Sequence, residues 1–376
     1  MHVHPDFHTV ADAFPRAMRK ARGGALAVYH RGELVVDIWT GFEDAESQRP
    51  WQAGTTAMSW STTKGVTSAL AHVLIERGLI ELDRPIAEVW PEFACNGKRT
   101  ITPRHVLAQE AGLHDIRHLL EDGNELLSHD RVAARIASAT PAYEPGTANG
   151  YHALTYGYII DELVRRTDGR TLAQAVTDEF ATPLALTDFG LTMTDAAEFA
   201  PPPAFDPPPK GARSLAKTAN LFTRLPPLRL DLASLAAAFL PRQGEVIGTP
   251  EFLASGNGSI GGVFTARSLA HFYSALIGDQ RTTLWSSATL HTATRPHNHR
   301  RDKVLSVRPH WSLGFHRPWP RNEIGPEAFG FWGMYGSGAW ADPQHHLAVA
   351  LISPDSRALP LKSCSGTIAG IAANLA

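Results

Sequence analysis

The sequence predicts an α+β fold in which a divided, sheet-bearing lobe is interrupted by a mostly helical lobe. Three observations predict it. Short β-prone runs lie near both ends of the 376-residue chain, helical periodicity dominates the middle, and a proline-rich tract breaks that middle region. The length suits two structural lobes, with the discontinuous α/β lobe assigned to residues 1–80 and 255–376 and the helical lobe to 81–254.

The elements follow in order. Ala25 to Tyr29 and Leu34 to Trp39 are apolar runs on either side of His30-Arg31-Gly32-Glu33, which reads as a β-hairpin. From Ser61 to Arg77 the spacing of Val66, Ala69, Leu70, Val73 and Leu74 predicts a helix that stops at Gly78. A second helix is predicted from Thr155 to Arg166, closed by Thr167-Asp168-Gly169. Pro201-Pro202-Pro203 and Pro207-Pro208-Pro209 read as an ordered surface excursion near 200–225, since proline supplies no backbone donor. Helices are expected again over Leu230 to Leu240 and over Ala266 to Leu276, the latter with Thr265 as N-cap. Trp311 to Phe315, Gly330 to Tyr335 and Ala348 to Ser353 are strand candidates, and Ile368 to Leu375 a closing helix.

Composition narrows the function. Apolar residues make up 43% of the chain and charged residues 19%, as in a packed globular protein. The 35 basic and 37 acidic residues nearly cancel, leaving no positive field for a phosphate backbone, so no nucleic-acid partner is expected. No apolar run is long enough for a membrane span and the start lacks the pattern of a signal peptide, so a cytoplasmic protein is expected. Cys95 and Cys364 read as unpaired structural thiols, and the 18 histidines form no His-Glu-x-x-His, so neither a metal nor another cofactor is expected.

The chemistry rests on Ser61-Thr62-Thr63-Lys64. A lysine three residues on, one helical turn away, can take the proton that makes a serine hydroxyl nucleophilic. The helix start adds unpaired backbone N–H groups that favour a developing oxyanion. Ser214-Leu215-Ala216-Lys217 has the same spacing, but lies beyond the proline tract with no tyrosine for more than fifty residues, and is assigned to a loop or helix start. Tyr151, on the turn that begins Pro145-Gly146-Thr147, is the candidate for a second proton carrier, the alternative being a packing aromatic with a hydrogen-bonded hydroxyl. A neighbouring Lys64 cation is expected to draw its phenol down toward a useful base. Phe329 to Gly338 joins aromatics to glycines and reads either as a cleft wall or as a core strand followed by a turn. No Gly-x-Ser-x-Gly pentapeptide is present, which disfavours an α/β-hydrolase.

Together these segments resemble the serine β-lactamase and penicillin-binding-protein superfamily, and most closely its class C-like esterases, the family VIII carboxylesterases. The resemblance is carried by Gly32-Glu33, Trp39-Thr40-Gly41, Ser61-Thr62-Thr63-Lys64-Gly65, Gly78 to Pro85, Ala111-Gly112-Leu113, Pro145-Gly146-Thr147 with Tyr151, and Trp340-Ala341-Asp342-Pro343. It implies a β-lactamase/transpeptidase-like fold, an antiparallel sheet flanked by helices with the site between two lobes. It also implies Ser61 as nucleophile, Lys64 as its partner, Tyr151 as the base that later protonates the leaving alcohol, and the backbone N–H groups of Ser61 and Met334 as the oxyanion hole. The resemblance makes Lys64 and Tyr151 one coupled unit, in which either can take the first proton. Two positions depart from the β-lactamase pattern: Phe331-Trp332-Gly333 stands where Lys-Thr-Gly is usual, and Ala153 where class C enzymes have asparagine. Both changes remove polar handles for a β-lactam. The expected substrate is therefore a small or short-chain ester, bound by Phe331, Trp332, Gly333 and His152, with weak or no β-lactamase activity. An acyltransferase or D-aminoacyl peptidase-like relative is the alternative, and a non-catalytic ligand-binding homologue a third reading.

Overall fold

The computed structural model describes residues 1–19, 21–44, 46, 48–193, 199–202, 238–240, 243–318, 324–355 and 371–376. Its strands are β1 (His2–Val3), β2 (Gly23–His30), β3 (Glu33–Gly41), β4 (Thr56–Met58), β5 (Phe189–Gly190), β6 (Phe199–Ala200), β7 (Val263–Phe264), β8 (Phe329–Trp332), β9 (Gly338–Asp342) and β10 (Leu347–Ile352). Six of them form one antiparallel sheet in the order β1-β3-β2-β10-β9-β8, so both ends of the chain build it. The predicted hairpin is β2 and β3, joined through Arg31 and Gly32, which both take positive φ as a tight hairpin turn requires.

Alternation along the central strands sorts the two faces of this sheet. Leu26 and Val28 of β2 and Leu347, Val349 and Leu351 of β10 pack with Phe7, Val10 and Phe14 from the N-terminal helix His8–Ala17 and its lead-in. The opposite face presents Ala25, Ala27, Ala348 and Ala350 to the larger core cluster. Helix Ala266–Leu276 lies against β2, β9 and β10, and these small side chains let it approach closely. Thr265 caps it by accepting from the Ser268 amide, as predicted.

Helix Thr63–Glu76 is buried on all sides from Thr63 to Leu74, and it contacts helices Thr155–Thr167, Leu172–Val176 and Ser287–Thr294. It is an interior helix whose polar members Lys64, Thr67, Ser68 and His72 are buried with hydrogen-bond partners. Each fully buried Leu or Val there contributes about 1.5–3 kcal/mol, which fixes the element that carries Ser61 and Lys64.

Other expectations needed correction. Trp311 to Phe315 is not a strand: isolated bridges pair Trp311 with His316 and His316 with Gly330, and the chain turns between them, the Gly314 amide donating to Leu107 and Ser312 carbonyls. β8 stops at Trp332 rather than reaching Tyr335, because a 3₁₀ turn over Met334–Gly336 follows, with Tyr335 at φ 56°. Strand β9, the short β1 and a second sheet of order β5-β7-β4-β6 were not foreseen. Most of the proline tract, Ser214 to Lys217, all of the Leu230 to Leu240 helix but its last three residues, and Cys364 lie outside the described residues, as does the first part of the closing helix, of which residues 371–373 are helical. No helix among the described residues is long and apolar enough to cross a membrane.

Candidate active site

Ser61 lies in a 3₁₀ turn, Trp60–Thr62, that feeds directly into helix Thr63–Glu76. The residue before it, Trp60, is 1% exposed and takes φ 54°. A buried tryptophan in the left-handed region is strained, and such strain persists only where the surroundings over-determine it. Here they do. The Ser59 amide donates to the Gly262 carbonyl at 2.8 Å, the Gly262 amide to Thr63 Oγ1 at 2.9 Å, and Thr63 Oγ1 to the Trp60 carbonyl at 2.6 Å.

Strand β8 completes the other side. A Cβ on Gly333 would lie 2.4 Å from the Ser59 carbonyl oxygen and 2.9 Å from Thr62 Oγ1, so only glycine lets the strand end press against the serine's turn. Met334 follows immediately. Neither the Ser61 nor the Met334 amide donates to another group among the described residues, which leaves both N–H groups available to an oxyanion. Tyr335, also at positive φ, packs its ring on Trp60 at 5.0 Å.

Lys64 projects from the first turn of the helix and is 0% exposed. Its Nζ donates to the Ala153 carbonyl at 2.8 Å and the Ser259 carbonyl at 2.9 Å, and stands 3.5 Å from Ser61 Oγ. Burial among neutral acceptors pushes this amine well below the usual lysine range. In its neutral form such an amine has two hydrogens for the two carbonyls and a lone pair that can take the Ser61 proton.

Tyr151 follows the turn at Pro145 to Gly150 and precedes helix Thr155–Thr167. Its Oη donates to Ser61 Oγ at 2.6 Å. Its phenol is pushed up, burial being the main cause and the Asp302 carboxylate a lesser one, against the opposing hydrogen bond to Ser61. The sequence suggested the reverse, a phenol lowered by a lysine cation. That expectation fails because burial of the phenol outweighs everything that would lower it.

Ser61 and Tyr151 open onto a cavity of roughly 200 Å³ lined also by Ala153, Leu154, Phe239, Gln243, Ile247, Ile260, Val304, Leu305, Trp332, Gly333, Met334 and Trp60. Of the residues expected to bind substrate, Trp332 and Gly333 are in this wall and two are not. Phe331 is wholly buried, its ring 6.2 Å from that of Tyr151 and 5.9 Å from Lys64 Nζ, because the strand's alternation turns it inward. His152 is buried as well. Its Nε2 accepts from the Leu113 amide at 3.0 Å and its Nδ1 faces Gln109 Oε1 at 3.2 Å, an arrangement that burial keeps neutral. It braces the Tyr151 loop instead of lining the cavity.

Two groups near the site escaped the sequence reading: Asp302, whose carboxylate holds the Tyr151 amide, and Trp311, whose ring stacks on Tyr151. Asp302 stands as a lone acid in a basic stretch, which by itself points to no partner as distant as Tyr151. Among the described residues, no group of three or more His, Cys, Asp and Glu side chains could hold a metal ion.

Comparison with known proteins places the chain in a family. The family model described as beta-lactamase matches residues 10–360. The esterase/beta-lactamase LipL of Mycobacterium tuberculosis is 35% identical over 363 residues, covering 93% of this chain and 81% of that protein. A penicillin-binding protein homolog from Caulobacter crescentus superposes with a TM-score of 0.86 at 30% identity, over 100% of this chain and 99% of that one. The crystal structure of a family VIII carboxylesterase gives 0.83 at 28% identity, over 100% and 98%. A match over nearly the whole length, in sequence and in fold alike, means that the chain belongs to the beta-lactamase family.

Proposed function

We propose that the chain is a serine carboxylesterase that hydrolyses small or short-chain esters through an acyl-enzyme on Ser61. One observation carries the reading: Ser61 Oγ stands between a hydroxyl donor, Tyr151 Oη at 2.6 Å, and a buried amine, Lys64 Nζ at 3.5 Å, at the edge of an apolar cavity. The amine accepts the Ser61 proton as Oγ attacks the ester carbonyl. The Ser61 and Met334 amides take the oxyanion. Collapse of the tetrahedral intermediate breaks the bond to the alcohol, which takes the Tyr151 proton as it leaves, and the Lys64 ammonium restores the phenol. Water then attacks the acyl-enzyme by the same route in reverse.

Electrostatics favours this division of labour. The lowered Lys64 is the better acceptor and the raised Tyr151 the better donor. The cavity is small, roughly 200 Å³, and lined mainly by apolar side chains, which suits a short acyl chain. Among the described residues its wall supplies no cationic side chain for a carboxylate, and Ala153 supplies no side-chain amide. Weak β-lactam turnover is proposed on that ground, although the relative LipL is named for both activities.

The test is p-nitrophenyl butyrate hydrolysis by wild type and Ser61→Ala, with mass spectrometry after a fluorophosphonate probe. Loss of turnover by about 10³-fold or more and labelling of Ser61 are expected. Unchanged turnover, or a label on Ser214, removes Ser61 from the reaction. Nitrocefin turnover comparable to ester turnover would overturn the substrate assignment alone.

A further inference from the structure

Asp302 is a carboxylate with 0% exposure inside a stretch otherwise rich in basic residues, and all its hydrogen bonds are spent around the site. Its Oδ1 accepts from the amides of Tyr151 at 3.2 Å, Val304 at 2.9 Å and Leu305 at 2.9 Å. Its Oδ2 accepts from Trp311 Nε1 at 3.1 Å. The Trp311 ring, itself 0% exposed, lies 11° from parallel to the Tyr151 ring at 5.9 Å. The Lys303 amide donates to the Asn149 carbonyl at 2.9 Å, which ties the same segment to the Tyr151 turn a second time.

One carboxylate thus grips Tyr151 twice, by its backbone directly and by its ring through the indole. We propose that Asp302, acting with Trp311, is the positioning residue that aims the Tyr151 hydroxyl at the departing alcohol, and that this node makes esters of poor leaving groups usable substrates. The inference rests on the proposed role of Tyr151 as proton donor. Burying a carboxylate costs several kcal/mol unless it is well hydrogen-bonded, and packing alone does not require one here. Of the four N–H donors on it, Val304 and Leu305 belong to its own turn, while Tyr151 and Trp311 tie that turn to the site, and these two give it a site-directed purpose. A hydroxyl misplaced by about 1 Å loses about 10²-fold in rate.

Leaving-group dependence separates this role from a merely structural one. A p-nitrophenolate departs without a proton, whereas an ethoxide needs one. Asp302→Asn keeps an oxygen for the three amides but turns an NH₂ toward the indole N–H, donor against donor. Trp311→Phe keeps a stacked ring and removes the indole N–H. Both variants are compared with wild type on ethyl butyrate, by proton release, and on p-nitrophenyl butyrate. Rates are normalised to the sites labelled by a fluorophosphonate, so that a poorly folding variant is still counted.

Each variant is expected to lose about 100-fold in kcat/KM, which reports acylation alone, on the ethyl ester and less than about 5-fold on the p-nitrophenyl ester, any loss in deacylation being common to both. Equal losses on both esters, or no loss on either, overturn the inference. Tyr151→Phe is the control. If it shows the selective loss and the other two do not, the positioning role alone fails. If Tyr151→Phe itself loses no more on the ethyl ester than on the p-nitrophenyl ester, the proton-donor reading falls and the inference with it.

Discussion

Lys64 and His129 are both bases held among helices, and their surroundings drive them in opposite directions. Lys64 hydrogen-bonds only carbonyls and the Ser61 hydroxyl, with no counter-ion, so burial decides and the amine is pushed well down. His129, at the start of helix His129–Ser138, meets Asp161 at 3.0 Å and Glu162 at 2.9 Å from helix Thr155–Thr167. Burial lowers it too, but the hydrogen bonds to the two carboxylates outweigh that and raise it to about 9. The lesson is that a counter-ion makes a buried base into a clamp, and its omission makes one into a proton acceptor.

The largest expected effect comes from forcing charge on the first region. Lys64→Arg places a guanidinium that cannot deprotonate among neutral acceptors, so kcat should fall about 10³-fold or more and stability by about 3 kcal/mol. Lys64→Met should lose the same activity and keep the wild-type melting temperature or exceed it near pH 7. The sign follows from linkage: a lysine lowered in the fold binds more protons when unfolded, so it costs stability until the pH rises through its unfolded value. Denaturant melts and single-turnover rates check both variants. Wild-type turnover by the Lys64→Arg enzyme would erase the contrast with His129.

A smaller effect belongs to the clamp. His129 is raised from 6.5 to about 9, so its stabilisation is fully present below the unfolded value and is lost as pH rises through about 9. Between about pH 6 and pH 9 the stability advantage of wild type over His129→Gln should shrink by about 2 kcal/mol, read from urea melts. Ester turnover per labelled site should not change, since none of the cavity-lining residues belongs to the clamp.

How much of this was legible in the sequence depends on the kind of interaction. The hairpin, helices Thr63–Glu76 and Ala266–Leu276, and the pairing of Ser61 with Lys64 follow from local periodicity and spacing, which one segment contains by itself. Tyr151 was reached through its Gly-rich turn and the family resemblance. Phe331 and His152 were misplaced because the face a side chain takes depends on packing, and both proved to be buried. Asp302 was invisible because its role depends on a turn 151 residues away. The electrostatics of Tyr151 were inverted for a similar reason: local spacing showed a lysine nearby, and only the packed structure shows that the phenol is buried.

His72 allows the comparison to be made within one residue type. It lies two turns beyond Lys64 in the same buried helix, donating Nε2–H to the Leu313 carbonyl at 2.8 Å, with Phe315 and Trp285 against its ring. With no carboxylate beside it, burial lowers it to about 4, the opposite direction from His129. The unfolded chain therefore binds this proton more readily than the fold, and stability is present above about pH 6.5 and lost as pH falls toward 4. Wild type should lose about 1 kcal/mol more than His72→Gln between about pH 7 and pH 5.5, while relative to His129→Gln it should gain rather than lose over that range. The measurement is a pair of urea melts at each pH. Parallel acid sensitivity in the wild type and the His72 variant would mean that this histidine titrates alike in both states, and that burial without a counter-ion is too weak here to keep a base neutral. Lys64, buried in the same helix by the same means, would then have to be charged as well, and its role as proton acceptor would go with it.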